Sequence, residues 1–290
     1  MSILRSCPNL TTIRIQHVDV GAEASQEIDP IELGSLKSCM IVGVNNLTTR
    51  SLLACIRAPA CTSLLVDYQA HGSEFLVALT GWFPAIRSML KLSTQVYVEI
   101  TGQSVYKSFT LSLRASTGSD TILDISFKKQ PSSELLEALL AHVAEAAAHV
   151  PTTINIHIKY PAAFPLPEII AICTHFPALS QVQIWCRAMA ESFVEHISHP
   201  LDIGGTPSWP FPQIKIMELR DPSLSVNSLL RMLRARYGPS RGLLDGHDNI
   251  PCLPGSQMVR LVFNNSGVGL GNTEMEEIRR LLPSCTLSCR

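Results

Sequence analysis

FPQIKIMELRDPSLSVNSLLRMLRARYG, residues 211 to 238, reads as one complete strand-and-helix unit. Pro212 biases Phe211 toward extended geometry. It opens a run in which Ile214, Met217 and Leu219 stand two, five and seven residues on, the last pair alternating as one face of a strand. After the Asp221-Pro222-Ser223 turn, Val226, Leu229, Leu230 and Leu233 return at helical spacing. Arg234 and Arg236 load the last turn, where cations complement the helix dipole, and Gly238 followed by Pro239 stops it. Such a pair of elements buries its apolar stripes against each other, so the helix is expected to cover the strand.

The same offsets recur. CPNLTTIRI places Leu10, Ile13 and Ile15 after Pro8, and FPALSQVQI places Leu179, Val182 and Ile184 after Pro177. Pro254 is followed by Ser256, Val259 and Leu261, and Pro84 by Ile86, Met89 and Lys91, two weaker matches. Leu36, Cys39 and Ile41 form a shortened version without the proline, and Leu64 with Val66 another. The pattern is L-x-x-L-x-L, the leucine-rich-repeat strand.

Composition agrees with a packed chain: 290 residues, 46% hydrophobic and 16% charged, suffice for one large or two modest domains. A net charge of -1 and a pI near 6.7 remove bulk electrostatic attraction to nucleic acid or an anionic membrane. No apolar run reaches the roughly 18 residues a membrane helix requires, and MSILRSCPNL lacks a signal-peptide hydrophobic region. A cytoplasmic or nuclear chain is expected. Nine cysteines, an odd number without a C-x-x-C pair, give no zinc spacing and read as reduced residues, several of them at apolar repeat positions.

Along the chain, residues 95 to 129 change character: QVYVEITG, YKSFTLSLRA and TILDISFKK alternate apolar and polar residues and predict an antiparallel meander inserted into the array, a ribbon in place of one helix. A long helix is expected from Ser132 or Ser133, then a strand in TTINIHIKY, a helix over 168–175, and a return helix over 190–197. The final unit pairs a strand over 258–263 with a helix opened by Thr273 and Glu276 as a capping box. The fold class that follows is α/β: an irregular leucine-rich-repeat-like solenoid with a parallel sheet and outer helices, a single domain over residues 1–290.

CPNLTTIRI, SLLACIRAPACTSL, MELRDPSLSVNSLLRMLRARYG, MVRLVFNNSG and MEEIRRLLP resemble the C-terminal repeat region of fungal F-box/leucine-rich-repeat proteins, over most of the chain. That resemblance implies a substrate receptor of a cullin-RING ubiquitin ligase, in which an N-terminal F-box recruits the Skp adaptor and the repeats hold a target. The chain starts almost inside a repeat, so Skp adaptor and cullin are expected partners only with an F-box upstream of Met1. A repeat remnant without ligase recruitment is the second reading.

An enzyme is the third. Gly267-Val268-Gly269-Leu270-Gly271 lies between a predicted strand and helix as a nucleotide-binding turn would. Its last glycine is one residue early, no second strand is expected after it, and no acidic residue stands about twenty positions on. His196 and His199 form H-x-x-H without a third ligand. Arg231, Arg234, Arg236 and Arg241 read as complements of a helix C-terminus. No catalytic residue, cofactor or metal is therefore assigned. The functional expectation is a non-catalytic protein-binding scaffold. If offsets five and seven point inward, offsets four, six and eight share the opposite face. That stacks Gln181, Gln183 and Trp185 beside Ile216, Glu218 and Arg220, and beside Met258, Arg260 and Val262. Gln183, Trp185, Glu218, Arg220 and Arg260 are the expected protein-binding residues, Trp and Arg being the types most enriched at hot spots.

Overall fold

A computed structural model of the chain describes residues 2–18, 29–71, 77–103, 108–129, 141–158, 176, 178–185, 189–203, 206–220, 224–238, 252–263 and 270–289. The fold is mixed α/β with mostly parallel strands. It divides into two compact units, Met1–Thr101 with Val105–Thr152 and Gly102–Ser104 with Thr153–Arg290.

The first unit carries α1 (Ser2–Arg5), β1 (Thr12–Gln16), β2 (Ile31–Glu32), β3 (Ser38–Val42), α2 (Asn46–Cys55), β4 (Ile56–Arg57), β5 (Ser63–His71), α3 (Phe83–Leu92), β6 (Gln95–Gln103), β7 (Ser108–Thr117) and β8 (Asp120–Lys129). Its main sheet runs β1-β3-β5-β8-β7-β6, while β2 and β4 pair separately. The repeat offsets line up across the parallel strands: Ile13, Cys39, Leu64 and Leu123 form one row, Ile15, Ile41, Val66 and Ile125 the next. All but Ile15 are buried, because a period of two puts every second side chain on one face of a pleated strand. Before each strand the chain turns tightly, with the Leu10, Leu36 and Cys61 amides donating to the carbonyls three residues back. A single carbonyl then receives the next strand: Thr11 O accepts from Lys37 N and Ser38 N, and Lys37 O from Thr62 N and Ser63 N, at 2.8 to 3.1 Å.

One expectation holds here and one changes. The β7–β8 hairpin is antiparallel as expected and turns on Gly118, whose φ of 59° suits a residue without Cβ. It stands within the array, because β8 pairs in parallel with β5 and continues the main sheet. Pro84 opens no strand: it occupies the first turn of α3, and Ala85, Ile86, Met89 and Leu90 form that helix's buried stripe. Proline fits both settings, since its missing N–H costs nothing at a helix start. Thr49, Leu52 and Leu53 are the inward face of α2, capped by Asn45, whose side chain accepts from Thr48 N, whereas Leu47 is exposed. The helix expected from Ser132 lies outside the described residues until 141–146, which are helical, with Val143 buried. The helix expected over 168–175 also lies outside them.

The second unit holds β9 (Thr152–Ile158), β10 (Leu179–Trp185), α4 (Met189–Ile197), β11 (Leu201–Ile203), β12 (Thr206–Ser208), β13 (Ile216–Leu219), α5 (Val226–Tyr237), β14 (Arg260–Phe263), α6 (Asn272–Leu281) and β15 (Thr286–Cys289). Its sheet runs β9-β10-β13-β14-β15, with every pair from β10 to β15 parallel. Val182, Met217, Leu261 and Leu287 share a row, and Ile184, Leu219, Phe263 and Cys289 the next. The same carbonyl relay operates: Ser180 O accepts from Lys215 N, Lys215 O from Val259 N and Arg260 N, and Val259 O from Thr286 N.

The Pro254 unit is out of step with its expected offsets. A 3-10 turn over Gly255–Gln257 takes up residues after the proline, so the core positions fall on Met258, Leu261 and Phe263, and Val259 is exposed. Thr273 caps no helix: α6 starts at Asn272 with Gly271 at its N-cap, and a side chain at 271 would collide with the Glu274 carboxylate. β15 is a further strand that the repeat spacing does not predict.

Helix α5 is tied to the helices on either side of it in the chain. Its N-cap Ser225 makes no side-chain cap bond. Instead Glu191 of α4 accepts from Ser225 N at 2.9 Å and from the Ser228 hydroxyl, placing a carboxylate at a helix N-terminus where the dipole favours it. At the other end Arg234 donates from Nε and Nη2 to the two carboxylate oxygens of Glu277 in α6, each at 2.7 Å. The Arg234 hydrogen bonds hold the Glu277 carboxyl below the usual carboxylate range. A depressed folded pKa adds stability above the unfolded pKa of about 4.3, and the gain disappears as pH falls through the folded value. Because the pair lies at the solvent boundary, Glu277→Gln is expected to cost only about 0.2–1 kcal/mol at pH 7 and less near pH 2. Urea unfolding of both proteins at the two pH values checks this.

Candidate functional site

The expected residues of the second unit's open face converge at the C-terminal ends of β10 and β13. Gln183 pairs in register with Glu218, and Trp185 and Arg220 each stand one residue beyond the last paired positions, Ile184 and Leu219. Arg220 N donates to Ile184 O at 2.8 Å, which fixes the strand end. The Arg220 guanidinium carbon lies 3.8 Å from the centre of the Trp185 ring, a cation–π stack, and residue Trp185 is 37% exposed.

Glu218 anchors the cluster from beneath. Its Oε2 accepts from Arg220 Nη2 at 3.1 Å and its Oε1 lies 3.5 Å from Arg260 Nη2, so one carboxylate orients two guanidiniums. The Glu218 side chain is only 6% exposed, against 26% for Arg220 and 43% for Arg260. Glu218 is thus a positioning residue, and the surface a partner would meet is Trp185, Arg220 and Arg260, with half-buried Gln181, Gln183 and Ile216 alongside. Arg260 arrives opposite Ile216 rather than Glu218 because of the register change in the Pro254 unit. The face is narrower than expected: Met258 and Val262, both placed on it by sequence, are buried.

Arg236 stands in the last turn of α5 as expected, but its side chain turns inward instead of only complementing the helix end. Its side chain is fully buried, donating from Nη1 to Ile197 O at 3.0 Å and Pro210 O at 2.9 Å, and from Nη2 to Phe211 O at 3.2 Å. Trp209 and Tyr237 rings lie 5.6 and 5.8 Å from its guanidinium carbon, and burial lowers its pKa. Phe211 itself is not extended: its φ is 50°, a region costly for a bulky side chain. The Arg236 bonds to carbonyls 210 and 211, and stacking of Phe211 on Phe193 at 6.2 Å between ring centres, hold it there.

The residues of the enzyme reading lie elsewhere. His196 and His199 flank the end of α4. Burial and His199 lower the His196 pKa, and His196 Nε2 has no partner among the described residues. Among the described residues no three His, Cys, Asp or Glu side chains are grouped to hold a metal. Most of the Gly267–Gly271 turn lies outside the described residues. The second strand that was not expected after it does exist as β15, although β15 carries no acidic residue. Cys39, Cys55 and Cys61 are buried, and burial, with Cys61 nearby, pushes the Cys39 thiol up to about 12. Among the described residues no helix is long and apolar enough to cross a membrane. No protein-family model matches the chain, and no curated protein matches it.

Proposed function

We propose that this chain is a non-catalytic protein-binding scaffold of the cytoplasm or nucleus, an irregular leucine-rich-repeat-like solenoid resembling the target-holding region of an F-box ubiquitin-ligase receptor. Recruitment of a Skp adaptor and cullin would then require an F-box preceding Met1. The observation that carries this reading is the Trp185–Arg220 stack on Glu218, a partly exposed aromatic–arginine pair at the end of a parallel sheet. The row-by-row register of β1, β3 and β5, and of β10, β13, β14 and β15, supports the repeat assignment. Rigid Trp and Arg side chains lose little entropy on binding and dominate measured hot spots.

A photo-crosslinking side chain placed at Gln183, in cells producing the full chain, is expected to give a protein adduct of defined mass. The adduct should be missing when the same group replaces exposed Arg231 on α5, and lost when Trp185→Ala is added. Absence of an adduct specific to position 183 would overturn the reading.

A further inference from the structure

We infer that the partner meets this face with a carboxylate: an acidic polypeptide segment places an Asp or Glu side chain against Arg220 and Arg260 while a neighbouring apolar side chain packs on Trp185. The inference rests on the protein-binding reading above and names the chemistry of its partner. Two guanidiniums share one carboxylate, so the cluster of Glu218, Arg220 and Arg260 retains one positive charge. Each guanidinium has five N–H donors in a planar fork, of which Glu218 engages only Nη2 of either arginine. The Arg220 and Arg260 side chains remain 26% and 43% exposed, so each fork still presents donors to solvent. An incoming carboxylate can take two parallel N–H bonds from such a fork. Stacking on Trp185 and the Glu218 bond already hold the Arg220 plane, so little further ordering is needed.

The charge balance selects among anions. A single carboxylate neutralises the remaining charge, whereas a phosphate dianion would leave net negative charge beside Glu218, whose own side chain is nearly sealed from water. A nucleic-acid backbone meets in addition a chain of net charge -1. The half-buried apolar surface of Ile216 next to the arginines favours a segment in which acidic and apolar residues alternate.

The test is a titration of the full 15N-labelled chain with three capped pentapeptides, Leu-Glu-Leu-Glu-Leu, its glutamine counterpart, and the same peptide with phosphoserine for glutamate. The Trp185 indole and Arg220 Nε signals report binding. The glutamate peptide is expected to shift both, with binding at least about tenfold tighter than the glutamine peptide and weakened by salt at about 0.3 M. Arg260→Gln should remove most of that preference. Equal binding of glutamine and glutamate peptides, or tighter binding of the phosphopeptide, overturns the carboxylate assignment. Unmoved signals do so too. If the Gln183 adduct still forms and still depends on Trp185, the carboxylate inference alone has failed. If that adduct is absent, the protein-binding reading has failed with it.

Discussion

Arg236→Met is expected to lower the free energy of unfolding by about 3 to 5 kcal/mol, because it leaves buried carbonyls without donors and removes the group that bridges three chain segments. The guanidinium joins the end of α4 at Ile197 O to the segment before β13 at Pro210 O and Phe211 O, from a position in the last turn of α5. Methionine fills much of the volume but offers no donor, so the loss is electrostatic rather than a cavity. Arg236→Lys should recover only part of it, since a compact ammonium cannot reproduce the fork that spans these acceptors. Urea unfolding of the two variants checks both statements. A shift within about 0.5 kcal/mol for methionine, as at an ordinary surface site, would contradict the clamp.

Leu229→Ala is expected to cost about 2 to 5 kcal/mol, the range for truncating a fully buried leucine in a core that cannot collapse onto the gap. Leu229 has no exposed surface, and α5 packs against both α4 and α6. In a stack of units each contact serves two neighbours, so the damage should spread: amide exchange in β10 and β14 should accelerate together with that in β13. Acceleration confined to α5, with stability changed by less than about 0.5 kcal/mol, would show that this helix is not the cover of its strand.

These residues also mark how far the sequence could be read. Period-two spacing is local, so the rows from Ile13 to Leu123 and from Val182 to Leu261 follow from offsets that any single strand displays. Spacing alone makes Arg236 a helix-end cation, because its burial depends on Ile197, Pro210 and Phe211, which lie 25 to 39 residues away in sequence. For the same reason Phe211 was expected to be extended: the preference of a residue before proline is local, and the contacts that override it are not. Pro84 misled because proline opens helices as readily as it opens strands. Pro254 misled because the 3-10 turn after it consumes residues that spacing alone assigns to the strand. At the candidate site Trp185 and Arg220 were named from alternation, but the burial of Glu218 beneath two arginines depends on the two-residue shift of β14, which only the paired register reveals.

The most direct test of the binding face is a paired measurement on Trp185→Ala and Arg220→Ala: affinity for the protein captured through Gln183, and the urea midpoint of each variant. Each substitution is predicted to weaken binding by about 2 kcal/mol or more while leaving the midpoint nearly unchanged, as expected of hot-spot residues outside the core. Unchanged affinity in both variants, or unfolding of the Trp185 variant, would contradict it.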